Sequence, residues 1–574
     1  MGANIHGSAV AFRVWAPFAV NVALLVDDNG ERKTFPMEKD GAYWHLETHE
    51  VRIGQNYQYL ITTADGRELA RNDPYARRLT SASGGWSVVV QDDFDWSDDT
   101  FTQGELKKQT IYELHVGTFN RPSPSTPGTF ASVIEKIPYL KDLGITAIEL
   151  MPVTSMMDDT GWGYAPTHIF SIEEAYGGRH GLMSLVKAAH QAGIAVIIDM
   201  VYNHMAPKNE LDTFDGWSEN DGGGIYFYND ERGVTPWGNR PDYGRDEVRS
   251  YLLDNITMWF NEFHVDGMRL DATYYIDEIR DAGGIEQGNI PDGWTLMQKM
   301  TTLAHKLKPS AWMIAEDSGW RDEASSPVQF GGLGFDAQWG THFPLAIRSA
   351  LGVETPQNID VFISELQRYF NGEAFQKIIY SDSHDSAANG HERLNEEASD
   401  GGADKIARAK ALIASTIAFT APGVPMILQG VEFVESGYFA GWRELNWEHE
   451  EKFAGIVAAH RDLMHLRTAA PGLAGNGFLF FHVNYTDGVI GYTRWHDAGK
   501  DDVLVLINLG KKVFTEYELV LPRSGIWNVA FNSTATTYGA DFSDSFAGPL
   551  QPSANGKVTL RLEGYQTLIF TLAT

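Results

Sequence analysis

At 574 residues the chain is too long for one hydrophobic core and is expected to divide into about two to four domains. Its formal charge of -31 argues against phosphate backbones and anionic membranes, which need a basic surface, so neither nucleic acid nor a membrane is expected as partner and the substrate is expected to be neutral. The absence of cysteine excludes disulfides, thiolate metal ligands and cysteine nucleophiles. The apolar run Ala411 to Ala421 is interrupted by Ser and Thr and falls short of a membrane span. The N-terminus has no basic start followed by an apolar run, which together with that short run sets a cytoplasmic location as the expectation.

Along the chain, residues 1 to about 100 carry short alternating runs, Ala11 to Pro17, Val20 to Val26, Tyr43 to Leu46 and Tyr57 to Ile61, separated by Asp-Asp-Asn-Gly and Ala-Asp-Gly turns. A β-sandwich module over 1–104 is the consequence. From Ile111 the pattern changes to strand and helix in alternation. Eight candidate strands are Ile111 to Phe119, Ile145 to Pro152, Ala195 to Asn203, Val265 to Ala272, Trp312 to Asp317, Gly334 to Trp339, Phe375 to Asp382 and Val424 to Phe433. Helical patterns separate them: Phe130 to Leu143, Leu182 to Ala192, Glu247 to Phe263, Trp294 to Leu307, Ile359 to Phe370 and Lys405 to Phe419, with Glu450 to Leu466 closing the series. Several of the strands are almost wholly apolar, as a parallel sheet buried on both faces requires. An α/β fold with a (β/α)8 barrel over 105–475 fits, and the alternation alone is also compatible with a doubly wound open sheet. The last hundred residues return to short strands and read as an all-β domain, a sandwich over 476–574.

In a parallel barrel, reacting groups gather where strands end. Here the third strand ends in Asp199-Met-Val-Tyr-Asn203-His204, the fourth in Arg269-Leu-Asp271, the fifth in Glu316-Asp317, and the seventh in Asp382-Ser-His384-Asp385. Carboxylates and histidines from four elements at one rim would cost burial energy for no structural gain. Arg269 and Asp271 are two apart, so on a strand they point the same way, and the cation favours an ionised, nucleophilic carboxylate. Glu316 follows Met-Ile-Ala in an apolar strand, a setting that favours the protonated acid. Two acids in two such settings suit a step in which one attacks and the other gives up a proton.

These four segments resemble the successive signature regions of the α-amylase family of retaining α-glucoside enzymes, over about 110 to 470. Phe12-Arg-Val-Trp15-Ala-Pro17 resembles the opening of that family's N-terminal carbohydrate-binding-like module, and the last hundred residues its C-terminal β domain. The resemblance implies Asp271 as nucleophile, Glu316 as general acid and then base, and Asp385 as the carboxylate gripping the ring hydroxyls of a distorted sugar. It implies further that Arg269 keeps Asp271 ionised, Asp199 orients Arg269, His204 and His384 donate hydrogen bonds to the sugar, and Tyr164 stacks beneath it. Asn203 stands where some members bind calcium, but no acidic loop completes such a site, so no metal and no cofactor are expected. Thr235-Pro-Trp-Gly238, Gly331-Gly-Leu-Gly-Phe-Asp336 and Ser383-His384-Asp385 are similar to glycogen branching enzymes and maltooligosyltrehalose trehalohydrolases. Tyr274-Tyr275 replaces the Lys-His of ordinary amylases after the nucleophile region. The expectation is a branching enzyme acting on α-1,4-glucans such as glycogen, amylose and maltooligosaccharides, with a trehalose-releasing or amylase-like hydrolase as the alternative.

Overall fold

A computed structural model of the chain describes residues 1–81, 85–91, 93–157, 161–220, 222–281, 283–352, 358–399, 402–546 and 548–573. The chain forms two compact units, one of Met1–Phe101, His115–Glu135 and Leu150–Phe335, the other of Thr102–Leu114, Lys136–Glu149 and Asp336–Thr574. Eight strands close a parallel barrel in sequence order: β1 (Ile111–Leu114), β2 (Ala147–Leu150), β3 (Ala195–Met200), β4 (Gly267–Leu270), β5 (Trp312–Ala315), β6 (Ala337–Trp339), β7 (Lys377–Ile379) and β8 (Val424–Leu428). Closure excludes the open sheet. Every residue of these strands is buried, which is why they read as apolar runs rather than alternating ones.

Each strand is shorter than its apolar run, and the difference has a physical source. The run from Ile111 stops at Leu114 and turns into the helical segment Val116–Phe119, and the run from Val265 yields only Gly267–Leu270. Residues just past a strand remain buried because they line the rim, so hydrophobicity outlasts hydrogen bonding. The helix expected over 130–143 is two helices, Phe130–Ile134 and Ile137–Leu143. Pro138 sits in the first turn of the second, where its missing N–H is tolerated, and would break a continuous helix. Likewise the pattern over 450–466 resolves into Glu448–Lys452 and Ala454–Ala469, interrupted at Phe453.

In the first unit the N-terminal module is built from two antiparallel sheets, one holding Gly2–His6, Ala9–Trp15, Tyr43–Thr48 and Glu38–Asp40, the other centred on Asn21–Asp28 and Asn56–Thr62. Tyr57 and Tyr59 both donate to Asp73 Oδ2, at 2.8 and 3.0 Å, so the buried carboxylate is satisfied from within the module. In the second unit the C-terminal domain has a five-stranded sheet with Val503–Asn508 at its centre and a two-stranded sheet of Phe514–Val520 and Lys557–Leu562, enclosing Trp527, Leu504 and Phe570. No helix among the described residues is long and apolar enough to cross a membrane.

Beyond β8, Glu432 is fully buried and accepts from Tyr112 Oη at 2.9 Å and Tyr139 Oη at 3.1 Å through Oε1, while the Gly430 N–H donates to Oε2 at 3.0 Å. Burial pushes its carboxyl up to about 7 despite these donors. Because the folded value lies above that of an unfolded Glu, wild-type stability is fully present below about pH 4.5 and falls as pH rises through about 7. Glu432→Gln cannot ionise. Its stability relative to wild type is therefore expected to rise between pH 5 and pH 8, by up to about 3 kcal/mol, and thermal unfolding at the two pH values checks this.

Candidate active site

The site grows out of strand register. In the parallel pairing of β3 with β4, Asp199 lies opposite Arg269, so their side chains leave the same face of the sheet. Arg269 Nη1 donates to Asp199 Oδ2 at 2.6 Å and, two residues along its own strand, to Asp271 Oδ1 at 3.1 Å. β5 then brings Glu316, whose Oε2 accepts from Arg269 Nη2 at 2.6 Å. One guanidinium thus holds three carboxylates. Arg269 is fully buried, and the attraction of Asp199, Glu316 and Asp271 outweighs that burial and holds it firmly protonated.

The backbone after Asp271 is shaped around the same group. Ala272 takes φ 38°, in the left-handed region that a residue with a Cβ adopts only at a cost of about 1–3 kcal/mol. In that conformation its N–H donates to Glu316 Oε2 at 2.9 Å. Thr273 follows, its N–H and Oγ1 both reaching the Glu316 carbonyl, at 3.0 and 2.9 Å, so β4 and β5 are locked just beyond the two acids. The apolar strand leading to Glu316 gives no sign of this. Its carboxyl group sits not in a purely apolar pocket but against a cation and a backbone donor.

Asp271 is braced on its other oxygen by Asn203, whose Nδ2 donates to Oδ2 at 3.0 Å. Asn203 in turn faces His204 Nδ1 at 3.0 Å, and His204 Nε2 donates to the Tyr164 carbonyl at 2.7 Å. Burial pulls His204 down to about 4, so the ring is neutral and its one N–H is taken by the Tyr164 carbonyl. A hydrogen bond from His204 to a sugar would require exchanging the bond to Tyr164. The Tyr164 hydroxyl donates to Asp199 Oδ2 at 2.5 Å, and its ring lies 5.8 Å from the Arg269 guanidinium carbon. Trp237, on the loop after β3, packs against His204 at 5.4 Å and Tyr275 at 4.8 Å between ring centroids and remains 43% exposed. The next residue has no room for a side chain, because a Cβ on Gly238 would run into the Met205 carbonyl.

In the second unit, His384 and Asp385 follow β7. The His384 N–H donates to Glu113 Oε2 at 3.1 Å and its Nδ1 meets Glu113 Oε1 at 2.5 Å. The Asp385 carboxylate, 46% exposed, takes a hydrogen bond from Asn389 Nδ2 at 3.1 Å and lies 3.6 Å from His384 Nε2. Two other strand-end acids are scaffold. Asp317 accepts from Thr273 Oγ1 and Arg321, and buried Asp382 pairs with Arg348 and accepts from the Leu394 N–H.

Asn203 as a partner of Asp271 and Glu113 as a partner of His384 were not legible as site residues, although both sit at strand ends. Asn203 is used by side chains, and no group of three or more metal-ligating side chains occurs among the described residues.

A closed parallel barrel carrying acids at its strand ends, preceded by a β module and followed by a β domain, defines a class of multidomain barrel enzymes. Family profiles agree along the chain: α-amylase catalytic domain over 111–236 and 239–471, carbohydrate-binding module 48 (isoamylase N-terminal domain) over 1–76, and α-amylase C-terminal all-β domain over 482–573. The chain belongs to the α-amylase family of glycoside hydrolases and transglycosylases. Among its relatives, malto-oligosyltrehalose trehalohydrolase of Saccharolobus solfataricus is 31% identical over 76% of each chain. The 1,4-α-glucan branching enzyme GlgB of Jannaschia sp. (strain CCS1) is 29% identical over all of this chain and 85% of its own. In fold, a pullulanase from Anoxybacillus sp. LM18-11 solved with maltotetraose matches at TM-score 0.78 and 18% identity, covering all of this chain and 87% of that one.

Arg269→Ala would leave the buried Asp199 and Glu316 and the partly buried Asp271 without a shared cation. A loss of about 3–5 kcal/mol of stability is expected, read as a lowered unfolding temperature. Arg269→Lys, a point charge with no planar fork, is expected to recover part of the stability but little of the activity.

Proposed function

We propose that this protein is a 1,4-α-glucan branching enzyme that cleaves an α-1,4 bond, holds the glycosyl chain as an ester on Asp271, and passes it to a 6-hydroxyl of another glucan. The observation that carries the reading is the bridging of Asp271 and Glu316 by the two terminal nitrogens of Arg269, which suits a pair of carboxyl groups acting on one glycosidic bond. Asp271 attacks the anomeric carbon as the bond to the leaving oxygen breaks, and Glu316 gives that oxygen its proton. In the second half, Glu316 takes the proton of the incoming 6-hydroxyl, whose oxygen displaces Asp271 and restores its carboxylate. Arg269 and the Asn203 amide each donate to one oxygen of Asp271, stabilising the carboxylate before attack and after release. Glu316 engages Arg269 and Ala272 through Oε2, so the transferable proton is assigned to Oε1.

Asp385 is assigned to the sugar hydroxyls because its carboxylate is the half-exposed one, and His384, held by Glu113, to the same ring. In the first unit Tyr164 and His204 are assigned to sugar contact, His204 by exchanging its bond to the Tyr164 carbonyl, with Asp199 orienting Arg269. Branching is favoured over hydrolysis by Ser383-His384-Asp385 and by GlgB relatives at 29–30% identity over 94–100% of the chain. The 31% identical trehalohydrolase supports a second reading, in which water replaces the sugar hydroxyl as acceptor.

Incubation with amylose decides between them. Branching is expected to weaken iodine staining with no matching rise in reducing ends. A stoichiometric rise in reducing ends would assign a hydrolase, and trehalose released from maltooligosyl trehalose would name it. In either case Asp271→Asn is expected to lower kcat by at least about a thousandfold, since the covalent step has no other nucleophile.

A further inference from the structure

Two large aromatic side chains on the loop after β8 stand in solvent. Trp442 is 64% exposed and Tyr438 43%, their ring centroids lie 6.3 Å apart, and their planes cross at 76°. Single exposed apolar residues are ordinary, but two paired on one loop form a patch. The loop beneath them is fixed. Glu435 Oε2 accepts from the Asn446 N–H at 2.6 Å, Asn395 Nδ2 donates to the Glu435 carbonyl at 3.1 Å, and Arg443 Nη2 donates to Ser436 Oγ at 3.1 Å. Val434, a β-branched residue at the start of the loop, takes φ 49°, a conformation that persists only where its surroundings enforce it.

The loop that carries the patch is tied to the Asp385 segment. Phe439, next to Tyr438, is buried with its ring 6.4 Å from that of His384, and its N–H donates to the Ala387 carbonyl at 2.7 Å. We propose that Tyr438 and Trp442 form a stacking platform for glucosyl units of an α-glucan chain that extends away from Asp385. The proposal rests on the α-glucan reading of the site and adds to it a binding surface outside the reacting groups.

Size and charge favour this occupant. A Tyr and a Trp together bury at most about 500 Å², below the roughly 800 Å² per partner that a stable protein interface needs, yet enough for a few pyranose faces. The net charge of -31 disfavours an anionic polymer and leaves a neutral one. The C–H faces of glucose match the rings.

The test is calorimetric binding of maltoheptaose and of amylose to the full chain carrying Asp271→Asn, so that no product forms. Trp442→Ala and Tyr438→Ala, each added to that background, are expected to weaken binding about fivefold to tenfold, while Trp442→Phe retains most of the affinity. Both rings are exposed, so all three variants are expected to unfold at the parent temperature. If the parent binds and both alanine variants bind within twofold of it, the platform is overturned and the site reading stands. Unchanged glucan affinity accompanied by a lower mass in sedimentation assigns the patch to a second copy of the chain, and also overturns it. A parent that binds neither glucan overturns the site reading and the platform together.

Discussion

Everything in the first unit's site depends on one guanidinium buried among three acids. Bringing Arg269 out of water costs several kcal/mol, and its attraction to Asp199, Asp271 and Glu316 compensates only while all three keep their positions. Register supplies them: Asp199 stands opposite Arg269 across β3 and β4, Asp271 lies two residues along, and Glu316 follows the adjacent β5. One guanidinium faces three carboxylates, so the electrostatics of the site come from the arrangement as a whole rather than from the burial of any single residue.

The second constraint is the backbone between the acids. The Ala272 N–H donates to Glu316, and the left-handed turn at Ala272 carries Thr273 back so that its N–H and Oγ1 reach the Glu316 carbonyl. An extended Ala272 would direct Thr273 away from that carbonyl. Strain at one residue thus accompanies the tie between the ends of two strands.

Much of this is legible in the sequence, and the reason is local. Buried strands advertise themselves as apolar runs, and a two-residue offset such as Arg269 to Asp271 predicts a shared direction without knowledge of the fold. What was hidden depends on residues far apart in sequence. Glu113 meets His384 across 271 positions, and no spacing rule links them. The hairpin of Thr154–Met156 and Pro166–Ile172 was missed because its longer strand is buried throughout and shows no alternation. His204 differs: the sequence picks out the residue, but not that the Tyr164 carbonyl takes the one N–H of its neutral ring.

The N-terminal module bears on the same site through the loop after β3. The Phe18 N–H donates to Asp215 Oδ2 at 2.9 Å, and its ring stacks on Trp217 with centroids 4.5 Å apart. Arg71 donates to the Phe214 and Thr213 carbonyls, and the Asn72 N–H to Glu210 Oε2 at 2.8 Å. That loop leaves β3 through Asn203 and His204 and carries Trp237 back against His204 and Tyr275. A segment of some forty residues with little regular structure would otherwise sample many conformations at an entropic cost of about 1 kcal/mol or more per residue fixed. The module's side chains supply part of the compensation. The loop that begins at Asn203, the partner of Asp271, is thus held in part by residues near the beginning of the chain.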